Sequence, residues 1–459
     1  MSAEPRILII GAGPTGLGAA WRLHELGHRN WALYEAANHA GGLASSVVDE
    51  HGFTWDLGGH VLFSHYEYFD HVMDTALGEA WIEHVREAWV WIRERWVPYP
   101  FQNNIWRLPD DELIACLSGL VDLHGRPPTP ARSFRDWLLN SFGTGLCDTF
   151  MLPYNRKVWA YDPASLDVGW MGERVATVDL KRILANVVFR RDDVGWGPNS
   201  TFRFPACGGT GAIWRAIAAQ LPAGQINFNR TVRDVDLSSK RLTMADGESI
   251  GYDTLISTMP LDHLLRSIHA RPDLAEVAEK FVYSSTHIIG VGLKGTKRDD
   301  LRTKCWIYFP EDTVPFYRAT VFSNYSPNNV PTSAPHWSLM AEVSESPGKP
   351  VRQENLIADV VAGFIACGFI DPAAIVASFH RRLDHGYPTP WLGRDALLDP
   401  IEKTLHAASV LSRGRFGAWK YEVSNQDHSF MQGVEAVNHI LHGAPEPTFG
   451  SSESGSPAS

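Results

Sequence analysis

Near its start the chain runs Ile7-Leu8-Ile9-Ile10 into Gly11-x-Gly13-x-x-Gly16, and the next apolar run, Trp31 to Tyr34, ends on Glu35. Glycines at this spacing allow a tight turn and let backbone N–H groups approach a pyrophosphate at the positive end of a helix. An acid placed like Glu35 suits a ribose hydroxyl. With Leu17 to Leu26 reading as a helix, the parts fall in the order of a dinucleotide site. Asp56-Leu57-Gly58-Gly59-His60 could set a backbone carbonyl against a flat ring with an imidazole nearby, although alone it reads better as a glycine turn with a surface histidine. Tyr99, Gln102 and Asn103 follow Pro98, with Phe150, Asn155 and Trp159 downstream. Such a cluster can sandwich a uracil and read its imide edge with an amide, or equally form a rigid proline loop filled by core rings. Two arginine forks, Arg174 and Arg318, could grip a diphosphate, though each alone reads as a surface ion pair. Tyr308, Tyr325, Tyr387 and Tyr421 stand in polar strings, where a hydroxyl can close a phosphate pocket while the ring excludes water.

The elements that must position these residues predict an α/β fold: a Rossmann-like nucleotide-binding domain, a helical insert and a second, antiparallel sheet domain. The chain has 459 residues, enough for two or three packed units. Residues 1–100, 201–270 and 401–445 are assigned to the nucleotide domain. Residues 101–200 form the helical, uridine-binding insert, 271–400 the substrate sheet, and 446–459 a disordered polar tail. Strands are predicted at Trp89 to Ile92, Arg95 to Pro98 and Thr254 to Thr258, and a late helix at Val434 to Leu441 with Asn425 to Gly433 leading into it. A net charge of −11 argues against a general polyanion-binding surface, so no nucleic-acid partner is expected and a nucleotide would need a local cationic pocket. No apolar run approaches a membrane span and no signal peptide precedes Arg6. Five scattered cysteines without C-x-x-C spacing suggest reduced thiols, a cytoplasmic location and no metal site.

After Glu35 comes a second glycine pair, Gly41-Gly42, in an arrangement that resembles FAD-dependent enzymes of the amine-oxidase type. Longer strings narrow this. Gly58 to Tyr66, Val97 to Asn104, Tyr317 to Pro327, Arg381 to Pro390 and Asn425 to Met431 together resemble the eukaryotic-type UDP-galactopyranose mutases, over nearly the whole chain from Ile7 to about Ile440. The resemblance implies an isomerase that interconverts UDP-galactopyranose and UDP-galactofuranose. Reduced FAD would attack the sugar's anomeric carbon through N5, with no net redox change, and NADPH or NADH would serve as reductant.

Carried over by residue, the resemblance gives Tyr99 and Gln102 to the uracil, and Phe150, Asn155 and Trp159 to the nucleoside pocket. Arg174 and Arg318 would neutralise the diphosphate, with Tyr308, Tyr387 and Tyr421 donating to it, while Trp306, Asn199 and Asn425 face the sugar or its phosphate. His60 would lie against the isoalloxazine and Gly59 offer its carbonyl to N5. Gly11, Gly13, Gly16, Glu35, Gly42, Gly417, Asn425 and Ser429 complete the cofactor site. Cys207 stands where the family pattern calls for a basic residue. The segment between Pro327 and His336 is short, so the oligomeric state is left open. The alternatives are an amine-type flavin oxidase, a silent nucleotide-sugar binding protein, and a mutase for another UDP-sugar.

Overall fold

The computed structural model describes residues 4–127, 129–171, 178–194 and 200–450. Its nucleotide-binding sheet has five parallel strands in the order Val410–Ser412, Thr254–Ser257, Ile7–Ile10, Trp31–Tyr34, Ile226–Asn227. Ile7–Ile10 is buried along its whole length, as an unbroken apolar run in a parallel sheet covered on both faces should be. The helix Pro14–Glu25 begins with proline at its first turn, where the missing N–H is not needed.

A second long helix, Gln426–His442, crosses that first helix closely. It begins well before Val434, the predicted start, with Asn425 as its N-cap residue. Gly433, which the sequence suggests lies in a lead-in, is interior: a Cβ there would fall 1.9 Å from the Thr15 carbonyl oxygen. The glycine marks close helix approach, not a helix boundary.

The second sheet has seven strands: Ile375–Pro388, Tyr283–Lys294, His336–Glu345, Arg318–Thr320, Trp306–Tyr308, Ala88–Ile92 and Arg95–Pro98, in that order. Two expectations are corrected here. The Ala88–Pro98 hairpin joins this sheet, although the sequence assigns it to the nucleotide domain. The pairing of Trp306–Tyr308 with Ala88–Ile92 is parallel, so the sheet is not purely antiparallel. In the hairpin Ala88, Val90 and Ile92 face the core. That alternation reveals a strand but not which sheet receives it.

The insert contains helices Asp110–Leu123, Phe134–Leu146, Leu152–Trp159 and Leu180–Phe189, with a π-helical turn at Cys147–Met151. Ser133 caps the second through a bond from the Asp136 N–H, and Asp179 caps the last. Residues 446–450, predicted as the start of a disordered tail, are held in place. Pro447–Gly450 is a short helix, Thr448 is buried, and Glu446 pairs with Arg413. Small polar composition hid these anchors; the rest of that stretch lies outside the described residues. No helix among the described residues is long and apolar enough to cross a membrane, and all five cysteines are free.

Candidate active site

A cavity of about 1390 Å³ joins the first strand–helix turn to the helical insert. On the nucleotide side it is lined by Gly11, Gly13, Glu35 and Gly42. Gly16 lies beneath the wall; a Cβ there would sit 1.9 Å from the Gly11 carbonyl oxygen, so this glycine lets helix and strand meet. The Glu35 carboxylate accepts from the N–H groups of Ala12 and Ala37, both at 2.7 Å, which fixes it at the end of its strand. Asn425 and Ser429, at the start of the Gln426–His442 helix, also reach the cavity. Gly417 does not: Gly414, Arg415 and Phe416 line the wall instead, while the Gly417 carbonyl turns inward to accept from Ser412.

Gly59 and His60 form part of the cavity wall. Gly59 donates its N–H to Glu342 Oε1 at 3.0 Å. Burial pushes the His60 imidazole down to about 4, against the attraction of Glu342, and Arg415 and Arg318 push the same way as burial. The ring is therefore neutral at physiological pH.

Arg318 and Glu342 face each other across two antiparallel strands. Arg318 Nε and Nη2 donate to the two carboxylate oxygens at 2.9 and 2.8 Å, and the Tyr317 hydroxyl adds a bond of 2.6 Å. Burial would raise the Glu342 carboxyl, but Arg318, with help from Tyr317 and Gly59, holds it below its ordinary value. One buried carboxylate thus ties the Gly59 loop to the cationic side chain at the cavity.

Tyr99, Gln102, Phe150, Asn155, Trp159, Trp306, Tyr308, Tyr387 and Tyr421 all line the same cavity. Phe150 stacks on Phe101 with ring centroids 4.5 Å apart, and Trp159 meets Tyr421 edge-on at 4.8 Å. Tyr325 is the exception. It is fully buried behind the wall, packed on Phe202 and Trp306. Arg174 and Asn199 lie outside the described residues.

Among the lining residues that the sequence did not single out are Arg86, Arg415 and Glu342. Arg86 stands over the rings of Tyr99 and Trp306, at 5.7 and 5.4 Å. Arg415 covers Tyr387 at 4.9 Å and donates to the Gly386 carbonyl at 2.9 Å. Tyr154, which belongs to the same aromatic string as Phe150 and Asn155, also lines the cavity. Only Arg415 had a local signal, the glycines on either side of it.

A dinucleotide flavin fits these residues. Gly13 and Gly42 face each other so closely that a Cβ on Gly42 would lie 3.3 Å from the Gly13 Cα. His60 Nδ1, Trp306 Nε1 and Asp427 Oδ1, all on residues of the wall, are buried without a partner in the protein, as polar atoms waiting for a ligand are.

The family model described as "Flavin containing amine oxidoreductase" matches residues 14–347, and the chain belongs to that class of flavoproteins. Its fold is shared by a putrescine oxidase variant (TM-score 0.65, 15% identity, 96% of this chain and 99% of that one) and by a CLA-producing fatty acid isomerase from P. acnes (0.63, 16%, 96% and 100%). A structure described as reduced UDP-galactopyranose mutase aligns with a TM-score of 0.95 and 53% identity over 98% of this chain and 97% of that one. At that identity over nearly the full length, the chain belongs to the UDP-galactopyranose mutase family.

Proposed function

We propose that this chain interconverts UDP-galactopyranose and UDP-galactofuranose with reduced FAD and no net redox change. The observation that carries the reading is one cavity that joins a dinucleotide cradle to an aromatic–amide cluster and half-buried arginines. Bound and reduced, FAD supplies an electron-rich N5 that is nucleophilic toward an anomeric carbon. Gly11, Gly13, Glu35, Gly42, Asn425 and Ser429 would hold that cofactor, with His60 and Gly59 against its ring.

The chain's own part is binding, orientation and charge. Tyr99 and Gln102 would hold the uracil, with Phe150, Asn155 and Trp159 around the nucleoside. Arg318, fixed by Glu342, is placed to stabilise charge that grows on a departing diphosphate, and the hydroxyls of Tyr308, Tyr387 and Tyr421 can donate to it. Trp306, and the Arg174 and Asn199 of the family pattern, would complete the grip. Retaining UDP in the cavity keeps its effective concentration high for the return step. A nicotinamide reductant and a cytoplasmic setting agree with this reading.

The test is an anaerobic assay with UDP-galactofuranose, following UDP-galactopyranose by chromatography. Product is expected only after dithionite reduction of the bound flavin. No product, together with no effect of UDP on the flavin spectrum, would overturn the reading.

A further inference from the structure

We propose that residues 446–450 form a strap that positions the cavity wall, and that Thr448 in this strap is a positioning residue that sets the proton of His428 through Tyr66. The strap grips three separate segments, each next to residues that line the cavity. Glu446 takes both Nε and Nη2 of Arg413, at 2.7 and 2.8 Å, directly before the lining residues Gly414 and Arg415. Arg413 is 1% exposed and is also held by Glu402 at 2.9 Å. The Phe449 ring lies 3.7 Å from the Arg413 guanidinium and 4.7 Å from the ammonium of Lys420, which donates to the Phe449 carbonyl. Lys420 directly precedes the lining residue Tyr421.

The third grip is a hydrogen-bonded chain. Thr448 donates its N–H and hydroxyl to the two oxygens of Glu435, at 2.9 and 2.7 Å. The Tyr66 hydroxyl lies 3.0 Å from Thr448 Oγ1 and 2.7 Å from His428 Nδ1. Burial raises the Glu435 carboxyl, and the bonds from Thr448 oppose that rise; once ionised, the carboxylate only accepts and the Thr448 proton is spent on it. Thr448 Oγ1 must then accept from Tyr66, and the Tyr66 oxygen must accept from His428. An ionised Glu435 thus directs the bonds of this chain and favours the Nδ1–H form of neutral His428. His428 lines the cavity and stacks on His65 at 4.9 Å, and His65 in turn pairs with Asp427 at 2.7 Å. The consequence for ligand binding rests on the cavity reading given above; the proton assignment does not.

The experiment is long-range proton–nitrogen NMR of histidine-labelled oxidised holoprotein at about pH 8, well above the ordinary carboxyl range. The His428 signals are identified by their loss in His428→Gln. The parent should show the Nδ1–H tautomer, Thr448→Val should lose that preference, and Thr448→Ser should restore it. If Thr448→Val does not fold, Tyr66→Phe breaks the same chain with the strap intact. An Nε2–H tautomer in the parent, or an unchanged pattern in the Val and Phe variants, would overturn the proton assignment whatever the assay with UDP-galactofuranose gives. For the strap, Glu446→Ala should weaken FAD binding on the order of tenfold, while removal of residues 451–459 should not. Equal FAD affinity in Glu446→Ala and the parent would overturn it.

Discussion

Arg318 reaches the cavity already held, because its Nε and Nη2 are both engaged by Glu342 on the next strand. Arg318→Ala should therefore act twice. Turnover should fall by about 10²–10³, the usual loss of a charge stabiliser. Stability should also fall, on the order of 3–5 kcal/mol, because the buried Glu342 would lose its counter-charge and keep only the bonds from Tyr317 and Gly59. Steady-state rates and calorimetry separate the two, and flavin absorbance should show FAD retained. Gln102→Ala should weaken UDP about tenfold, from the loss of a buried hydrogen bond, with FAD content unchanged; titration of UDP against the holoprotein checks it. His60 provides a test of sign. Its folded value, about 4, lies below the ordinary 6.5, so below that ordinary value the unfolded chain takes a proton that the folded one refuses. Its contribution to stability is full above about pH 6.5 and fades as pH falls toward 4. The apoprotein of His60→Phe should lose less stability than the parent apoprotein over that window in pH-dependent denaturant melts. At this scale Tyr99, Gln102 and Trp159 were legible because polar aromatic strings are unusual. Glu342 and Arg86 were not, since one charged residue in a strand or loop has no local signature until the sheet supplies its partner. Tyr325 was expected at the substrate but sits behind the wall, because a sequence string does not say which side of a wall a ring occupies.

The elements that present these residues depend on close backbone approach. The contact between Pro14–Glu25 and Gln426–His442 is built on Gly433, so Gly433→Ala should force the helices apart and cost about 1–3 kcal/mol, read as a lower melting temperature. Cofactor affinity should fall with it, because Thr15 and Ser429, one on each helix, both line the cavity. The strand Ile7–Ile10 and the helix after it were legible from pattern and glycine spacing alone. The start of Gln426–His442 was not, because a glycine in a crossing and a glycine at a helix boundary look alike in sequence. The hairpin Ala88–Pro98 was recognised as two strands, yet its sheet was misassigned: local alternation fixes which face is buried, and only long-range pairing decides the neighbour.

Taken whole, the molecule carries excess negative charge but collects Arg86, Arg318 and Arg415 along one cavity wall. Because the nucleotide cradle and the aromatic–amide cluster share that space, UDP should perturb the absorbance of oxidised bound flavin, and the change should saturate with UDP binding. An absence of any spectral change under saturating UDP, measured independently by calorimetry, would place the nucleotide elsewhere. The parallel sheet also has a consequence for how the protein is made. The glycine turn leaves the ribosome first, but the strand beside it, Thr254–Ser257, and the next, Val410–Ser412, are synthesised much later. Its covering helix, Gln426–His442, comes later still. Pairings this distant in sequence form slowly and late. A nascent chain halted before residue 410 therefore displays the nucleotide motif without the completed sheet that surrounds it.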